Sequence, residues 1–496
     1  MFTLYGLFLS FVLCRGSTAV EEGRIVFPRM LEARADRGQD RVLKITDDLV
    51  LNLQSANAYS ENFLVRSHID ENTVQEDYFR AKDYEQYLFH DPGNKASVAV
   101  TERDGLQVEG ILGEVLRIRP LPERERSDEG HVAHLLFRID AQKTRYDDYV
   151  IPEEAITNLE SSGTVVERQD IPKRIHPELF ILCDSAFVQH FNKGLESIIF
   201  YFGITINAVN MRYLSVKDPN VRLRLVGFEL HTRTTESFLQ YHSAANIHGT
   251  ASLSALREYV NLRPQNYSTY DMVYLVTGLN IIEQRGGYLQ DYAGFAYVGG
   301  ICTDARVGIG EDIPKTWYHV RTVAHEVGHL LGCPHDGDHA PSVLHHYSGS
   351  TRCPWSDGYI MSYIQNSRKE FRFSSCCNDM IRYLIHFRGR TCMLTNDAHI
   401  TYNKEKYLPG KYLGADEQCQ KFLGYILKKT YSLKDELGIA ANRRCRLLCH
   451  AAESIYGYET HLGMFAVDGT RCADKKVCYN GYCKKIPKIK PETLAE

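Results

Sequence analysis

Apolar and polar positions change their rhythm twice along the 496 residues, dividing the chain into three regions. From residue 20 to about 174 they alternate, as in VLKITDDLVLNLQ and VEGILGEVLRIRPL, before the charged stretch PERERSDEGH. Period-two alternation broken by turns predicts strands with one buried face, hence a small β-rich domain. From Ile175 the texture mixes two periods. PELFILCD is a buried-strand run, SAFVQHFNKGLESIIFYF carries helical spacing, VRLRLVGFEL alternates, and LSALREYVNL is helical again; YDMVYLVTG and GFAYVGG read as further strands. Strands interleaved with helices predict an α/β domain with a mixed sheet over 175–396. Beyond Asn396 the chain turns loop-rich, and neither repeats nor low-complexity tracts interrupt it.

The cysteines sharpen these boundaries. There are 14: Cys14, none between 20 and 182, seven from 183 to 392, and six from 419 to 483. Six in so short a tail predict a module over 397–496 held by bridges more than by core. The first residues, MFTLYGLFLSFVLCRGSTA, hold an apolar run too short to span a bilayer and then small residues. That pattern predicts a signal peptide over 1–19, a secreted chain and an oxidising compartment in which thirteen cysteines remain. The region 20–174 ends at DIPKR, where Lys173-Arg174 offers a dibasic processing site or a plain exposed linker. Asn266-Tyr267-Ser268 is the one glycosylation sequon. With 58 basic against 62 acidic residues and a net charge of -4, the composition argues against a nucleic-acid or polybasic membrane binder. The cluster KKIPKIK at 484–490 reads as a solvated tail.

Chemistry concentrates in TWYHVRTVAHEVGHLLGCPHD. Val320, Val323, Val327, Leu330 and Leu331 fall at helical spacing, which makes His325 and His329 neighbours on one helical face, able to share an ion. Glu326 is placed to take a proton from a metal-bound water. Gly332 permits the left-handed turn that brings His335 back, and three imidazoles leave a zinc position open for water. Cys333 sits among these ligands, and a thiolate there would close the shell of a catalytic site. Twenty-six residues past His335 comes GYIMSY with Met361. His339, His345 and His346 read as a solvated loop, and Trp317 and Trp355 as packing residues.

HEVGHLLGCPHD with the Met361 turn resembles the metzincin zinc endopeptidases, and Asp336 after the third histidine resembles their reprolysin (adamalysin) branch, which includes ADAM and ADAMTS enzymes. GFAYVGGIC is similar to the branch's edge strand that pairs with extended substrate, here Gly294, Ala296, Val298 and Gly299. LPGKYLGADEQCQ and DGTRCADKKVCYNGYC resemble ADAMTS disintegrin-like and cysteine-rich segments. Taken whole, the chain is similar to secreted salivary metalloproteases of ticks. The resemblance implies a metzincin fold, a propeptide over 20–174, one zinc, and cleavage of host fibrinogen, fibrin or matrix proteins.

It implies further detail residue by residue. Calcium would sit at Glu178, Asp271 and the main chain of Cys392, with Asn396 one residue away from the branch's usual position. Tyr363, in an M-x-Y pattern like that of astacins, would approach the zinc and steady the oxyanion. Cys302 would pair with Cys392. Cys183, in an apolar strand, is the natural unpaired member, which leaves Cys333, Cys353, Cys376 and Cys377 to form two bridges of open connectivity. Cys333 is expected to staple the turn before His335 to the segment after Met361. A propeptide cysteine switch is excluded, because residues 20–182 contain no cysteine. The competing reading is a catalytically weak secreted protein that binds receptors or matrix through its cysteine-rich module; a matrix component is the third.

Overall fold

The computed structural model describes residues 23–31, 41–139 without 103, 172–395 without 192–193, 341–348, 366 and 387, and parts of 414–484. The expected signal peptide, His345, His346, Asn396 and the basic tail beyond 484 lie outside these residues. The chain divides into two compact units, and the smaller comprises Ile400–Glu496 with Leu64–Arg66 and Gln75–Phe79.

In the larger unit, nine strands between Arg24 and Arg138, without Tyr59–His68 and Val74–Arg80, form a sheet with antiparallel ladders. Alternation decides which faces turn inward: Leu43, Ile45, Leu51 and Leu53 are buried while their neighbours reach solvent. They close a core with Phe89, Val98, Val108, Ile118 and Leu136.

The α/β part has a second sheet. Glu178–Cys183 lies between Met272–Thr277 and Arg224–Leu230, parallel to both, and Val307–Glu311 continues the parallel order. Every residue of Glu178–Cys183 and Met272–Thr277 is buried, as strands covered on both faces require. Gly294–Ala296 closes one edge antiparallel to Val307–Glu311. Two helices bear on the site: Leu195–Tyr213, buried along most of its length, and Val320–Leu330.

One sequence reading changes here. The helical run from Ser185 is broken: Asp184 caps a short helix Ser185–Val188, and a second begins at Leu195 after Gly194 at φ 84°. That backbone suits glycine and cannot continue a helix. Most of the described N-terminal region clusters with the α/β part, while Leu64–Arg66 and Gln75–Phe79 cluster with the smaller unit. Ser97 donates to the carbonyl of Ile204 at 2.9 Å, Asn207 donates to Ser97 at 2.9 Å, and buried Arg117 donates to the carbonyl of Thr316 at 2.6 Å. The Leu225 N–H donates to the Ala58 carbonyl, and the strand Tyr59–His68 pairs beside Arg224–Leu230.

The smaller unit contains a helix Ala415–Leu423, two three-stranded sheets and the bridges Cys419–Cys449, Cys445–Cys478 and Cys472–Cys483. Its core consists largely of those half-cystines, with Leu447 and Ala466. Among the described residues no helix is long and apolar enough to cross a membrane.

Candidate metal centre

The helix Val320–Leu330 is amphipathic, with Val320, Val323, Val327 and Leu330 in the interior. His325 and His329 lie one turn apart and fully buried, and their Nε2 atoms are 2.9 Å from each other. The helix gives way at Gly332, whose φ of 100° only glycine adopts cheaply, and the chain turns back. His335 then arrives with its Nε2 3.3 Å from that of His325.

Behind each of the two helical ligands stands a carbonyl. His325 Nδ1 donates to the oxygen of Ile360 at 2.7 Å, and His329 Nδ1 to that of Cys333 at 2.7 Å. A carbonyl only accepts, so Nδ1 carries the hydrogen in both rings and Nε2 presents a lone pair. Burial, then the neighbouring imidazoles, holds His329 well below its usual range and therefore neutral. Two lone pairs facing each other at 2.9 Å repel unless a cation lies between them. This donor set fits zinc: three imidazole nitrogens within 4.8 Å of one another, two of them oriented by carbonyls on their far nitrogens, one donor short of a tetrahedral shell.

Met361 is buried beneath the helix, where Gly328 has no side chain; a Cβ there would lie 2.9 Å from the methionine sulfur. Asp336 ties the third ligand's loop down. Its N–H donates to the carbonyl of Met361 at 2.9 Å, and its carboxylate accepts from Ser374 at 2.6 Å. Burial still pushes that carboxyl up to about 6. Ser374 in turn caps the helix Ser375–Ile385, which carries Cys376 and Cys377. The bridges are Cys333–Cys377, Cys353–Cys376 and Cys302–Cys392, and the Cys183 thiol is free and buried.

Glu326 is fully buried and meets the edge strand. A Cβ on Gly294 would lie 2.9 Å from its Oε1, so glycine at that position makes room for the carboxylate. The edge strand ends at Ala296. Val298 and Gly299 lie past it, and the Gly299 N–H donates to the carbonyl of His329 at 2.8 Å. The expected substrate edge is therefore shortened, since that N–H already holds the end of the helix Val320–Leu330. Tyr363 Oη is 3.3 Å from His335 Nε2, and its ring packs edge-on against Trp355, 4.5 Å between centroids. Trp355 also meets His335, so this packing residue walls the centre, while Trp317 packs away from it on Tyr201.

Of the residues implied for calcium, Glu178 and Asp271 are adjacent: the Glu178 N–H donates to Asp271 Oδ2 at 2.8 Å. Asp271 also lies beside the Cys302–Cys392 bridge. Asn266 is partly exposed and His339 is exposed. Sequence reasoning missed Ile360 and Ser374, which act through backbone and capping contacts that residue type does not advertise. It also missed a second buried group, His68, Glu229 and His231. Its one signal is Glu229 and His231 two apart at a strand end, where they share a face.

A profile described as Metallo-peptidase family M12 (Reprolysin_5) matches residues 176–374, and one described as ADAMTS cysteine-rich domain 2 matches 409–484. A Bombyx mori protein named "A disintegrin and metalloproteinase with thrombospondin motifs like" is 31% identical over 64% of this chain, and the match spans 45% of that protein's length. The venom metalloproteinase antarease TserMP_A of Tityus serrulatus is 27% identical over 76% of this chain and 95% of its own.

Proposed function

From a chain that holds a reprolysin-type metallopeptidase domain of family M12 and an ADAMTS-type cysteine-rich domain, we propose a secreted zinc endopeptidase that hydrolyses extracellular proteins such as fibrinogen, fibrin or matrix components. The observation that carries the reading is the convergence of His325, His329 and His335 with their Nε2 atoms 2.9 and 3.3 Å apart and Glu326 beside them.

Bound zinc would supply Lewis acidity to the attacking water and to the scissile carbonyl. The protein's own residues do the rest. Gly294–Ala296 offers an edge on which an extended peptide can add as a strand. Glu326 takes the proton of the attacking water and returns it to the leaving amine. Tyr363, whose hydroxyl is 3.3 Å from His335 Nε2, is proposed to donate to the developing oxyanion. Trp355 and Tyr363 wall one side and limit water.

The finer assignments are proposals of the same kind. Residues 1–19 would direct secretion, 20–174 would act as a propeptide cut after Arg174, and 397–496 would be an exosite module. Exposed Lys173 and Arg174 support the cut. Asn266 would carry a glycan, and Glu178 with Asp271 would contribute to a calcium site, supported by their 2.8 Å contact. The test is casein and fibrinogen hydrolysis by the purified chain after cleavage at Arg174. Activity should vanish on chelation and return with zinc; absence of cleavage by the zinc-loaded chain would end the reading.

A further inference from the structure

His68, Glu229 and His231 come together from two places in the chain. Glu229 and His231 lie at the end of the strand Arg224–Leu230, and His68 at the end of Tyr59–His68, the N-terminal strand that pairs beside it. His68 Nε2 is 2.6 Å from Glu229 Oε1, and His231 Nε2 is 3.4 Å from the same oxygen. The side chains of Glu229 and His231 are 2% and 0% exposed and that of His68 is 10%, so the three groups face one another with little water access.

The hydrogen bonds behind them set the chemistry. Thr235 Oγ1 donates to the carbonyl of Thr232, which leaves its oxygen to accept from His231 Nδ1 at 3.2 Å. That puts the ring hydrogen on Nδ1 and a lone pair on Nε2. The Nε2 atom is buried, makes no hydrogen bond and points at a carboxylate oxygen 3.4 Å away. Two acceptors in that relation repel unless a proton or a metal ion lies between them. The other carboxylate oxygen, Oε2, accepts from Tyr267 at 2.9 Å, so both His231 and Glu229 have an outer partner that fixes their orientation. Like those of the catalytic trio, the three donor atoms lie within 4.8 Å of one another, and two imidazoles with one carboxylate are a zinc donor set.

We propose that His68, Glu229 and His231 form a second zinc site that joins the N-terminal strand to the catalytic sheet. If Arg174 is the processing site proposed above, His68 falls on the released side, and the ion belongs to the uncut chain.

Zinc counting on the full-length, uncut chain tests this. The protein is loaded with Zn2+, desalted and counted by plasma mass spectrometry, beside His68→Ala and His231→Ala variants whose folding is checked by circular dichroism. The expected counts are two per chain for the wild type and one for each variant. A wild-type count of one that falls to zero in both variants would support this site and remove zinc from the catalytic trio, so the two readings fail separately. Equal counts in all three proteins overturn the proposal. Should the variants not fold, a single wild-type zinc whose removal abolishes peptidase activity after later processing overturns it too.

Discussion

The Nδ1 of His329 donates to the carbonyl oxygen of Cys333 at 2.7 Å, while the sulfur of Cys333 is bonded to Cys377. One residue therefore orients a proposed zinc ligand with its backbone and anchors the loop of His335 with its side chain. The bridge spans 44 residues, so replacing both cysteines by serine should cost roughly 4 kcal/mol of stability on chain-entropy grounds. Because the carbonyl loses its anchor, zinc should also pass to a competing chelator at least about tenfold more readily. Thermal denaturation and chelator titration of Cys333→Ser/Cys377→Ser measure both; unchanged zinc retention would detach the bridge from the site.

Gly294 and Glu326 touch. Gly294→Ala places a carbon 2.9 Å from Glu326 Oε1 and 2.7 Å from the Ile309 carbonyl. The carboxylate must shift, and a displacement near 1 Å costs roughly 10² in rate. Peptide hydrolysis should fall by about that factor with zinc content preserved. Loss of zinc together with activity would place the damage elsewhere.

Tyr363→Phe separates a role in chemistry from packing. The ring contacts with Trp355 and His335 survive the change, and only the hydroxyl 3.3 Å from His335 is lost. Turnover should drop by about 10², the effect of removing one oxyanion donor, at constant zinc content. Unchanged turnover leaves Tyr363 a packed aromatic.

Asp184 predicts a pH dependence of stability. Burial pushes its carboxyl from 3.8 up to about 6, while it accepts from the Phe187 and Gly278 N–H groups. The folded state then binds this proton more tightly than the unfolded chain. Its contribution is complete below about 3.8 and is lost as pH rises through about 6, at most about 3 kcal/mol. Asp184→Asn keeps the acceptor and does not titrate. Comparing thermal midpoints at pH 4 and pH 7, the variant should gain on the wild type at the higher pH; a constant gap contradicts this.

The spacing of Val320, Val323, Val327 and Leu330 makes the active-site helix legible, and with it the meeting of His325 and His329. The turn at Gly332 is legible for the same reason, since left-handed backbone asks for glycine. Disulfide connectivity is not legible: Cys376 and Cys377 are adjacent, and only the packing of helix Ser375–Ile385 decides that Cys377 meets Cys333 while Cys376 meets Cys353. Nor is the joining of the N-terminal strands to the α/β part. Their alternation predicts a buried face but not its partner, and Arg117 reads as a surface residue until Thr316, 199 positions away, receives it.

Glu326→Gln tests the central claim most directly, because it removes the base and leaves His325, His329 and His335 in place. The measurement is kcat/KM on a quenched peptide, with zinc content determined on the same samples. A fall of about 10³ at unchanged zinc is expected. A Glu326→Gln protein that cleaves as fast as the wild type would contradict the assignment.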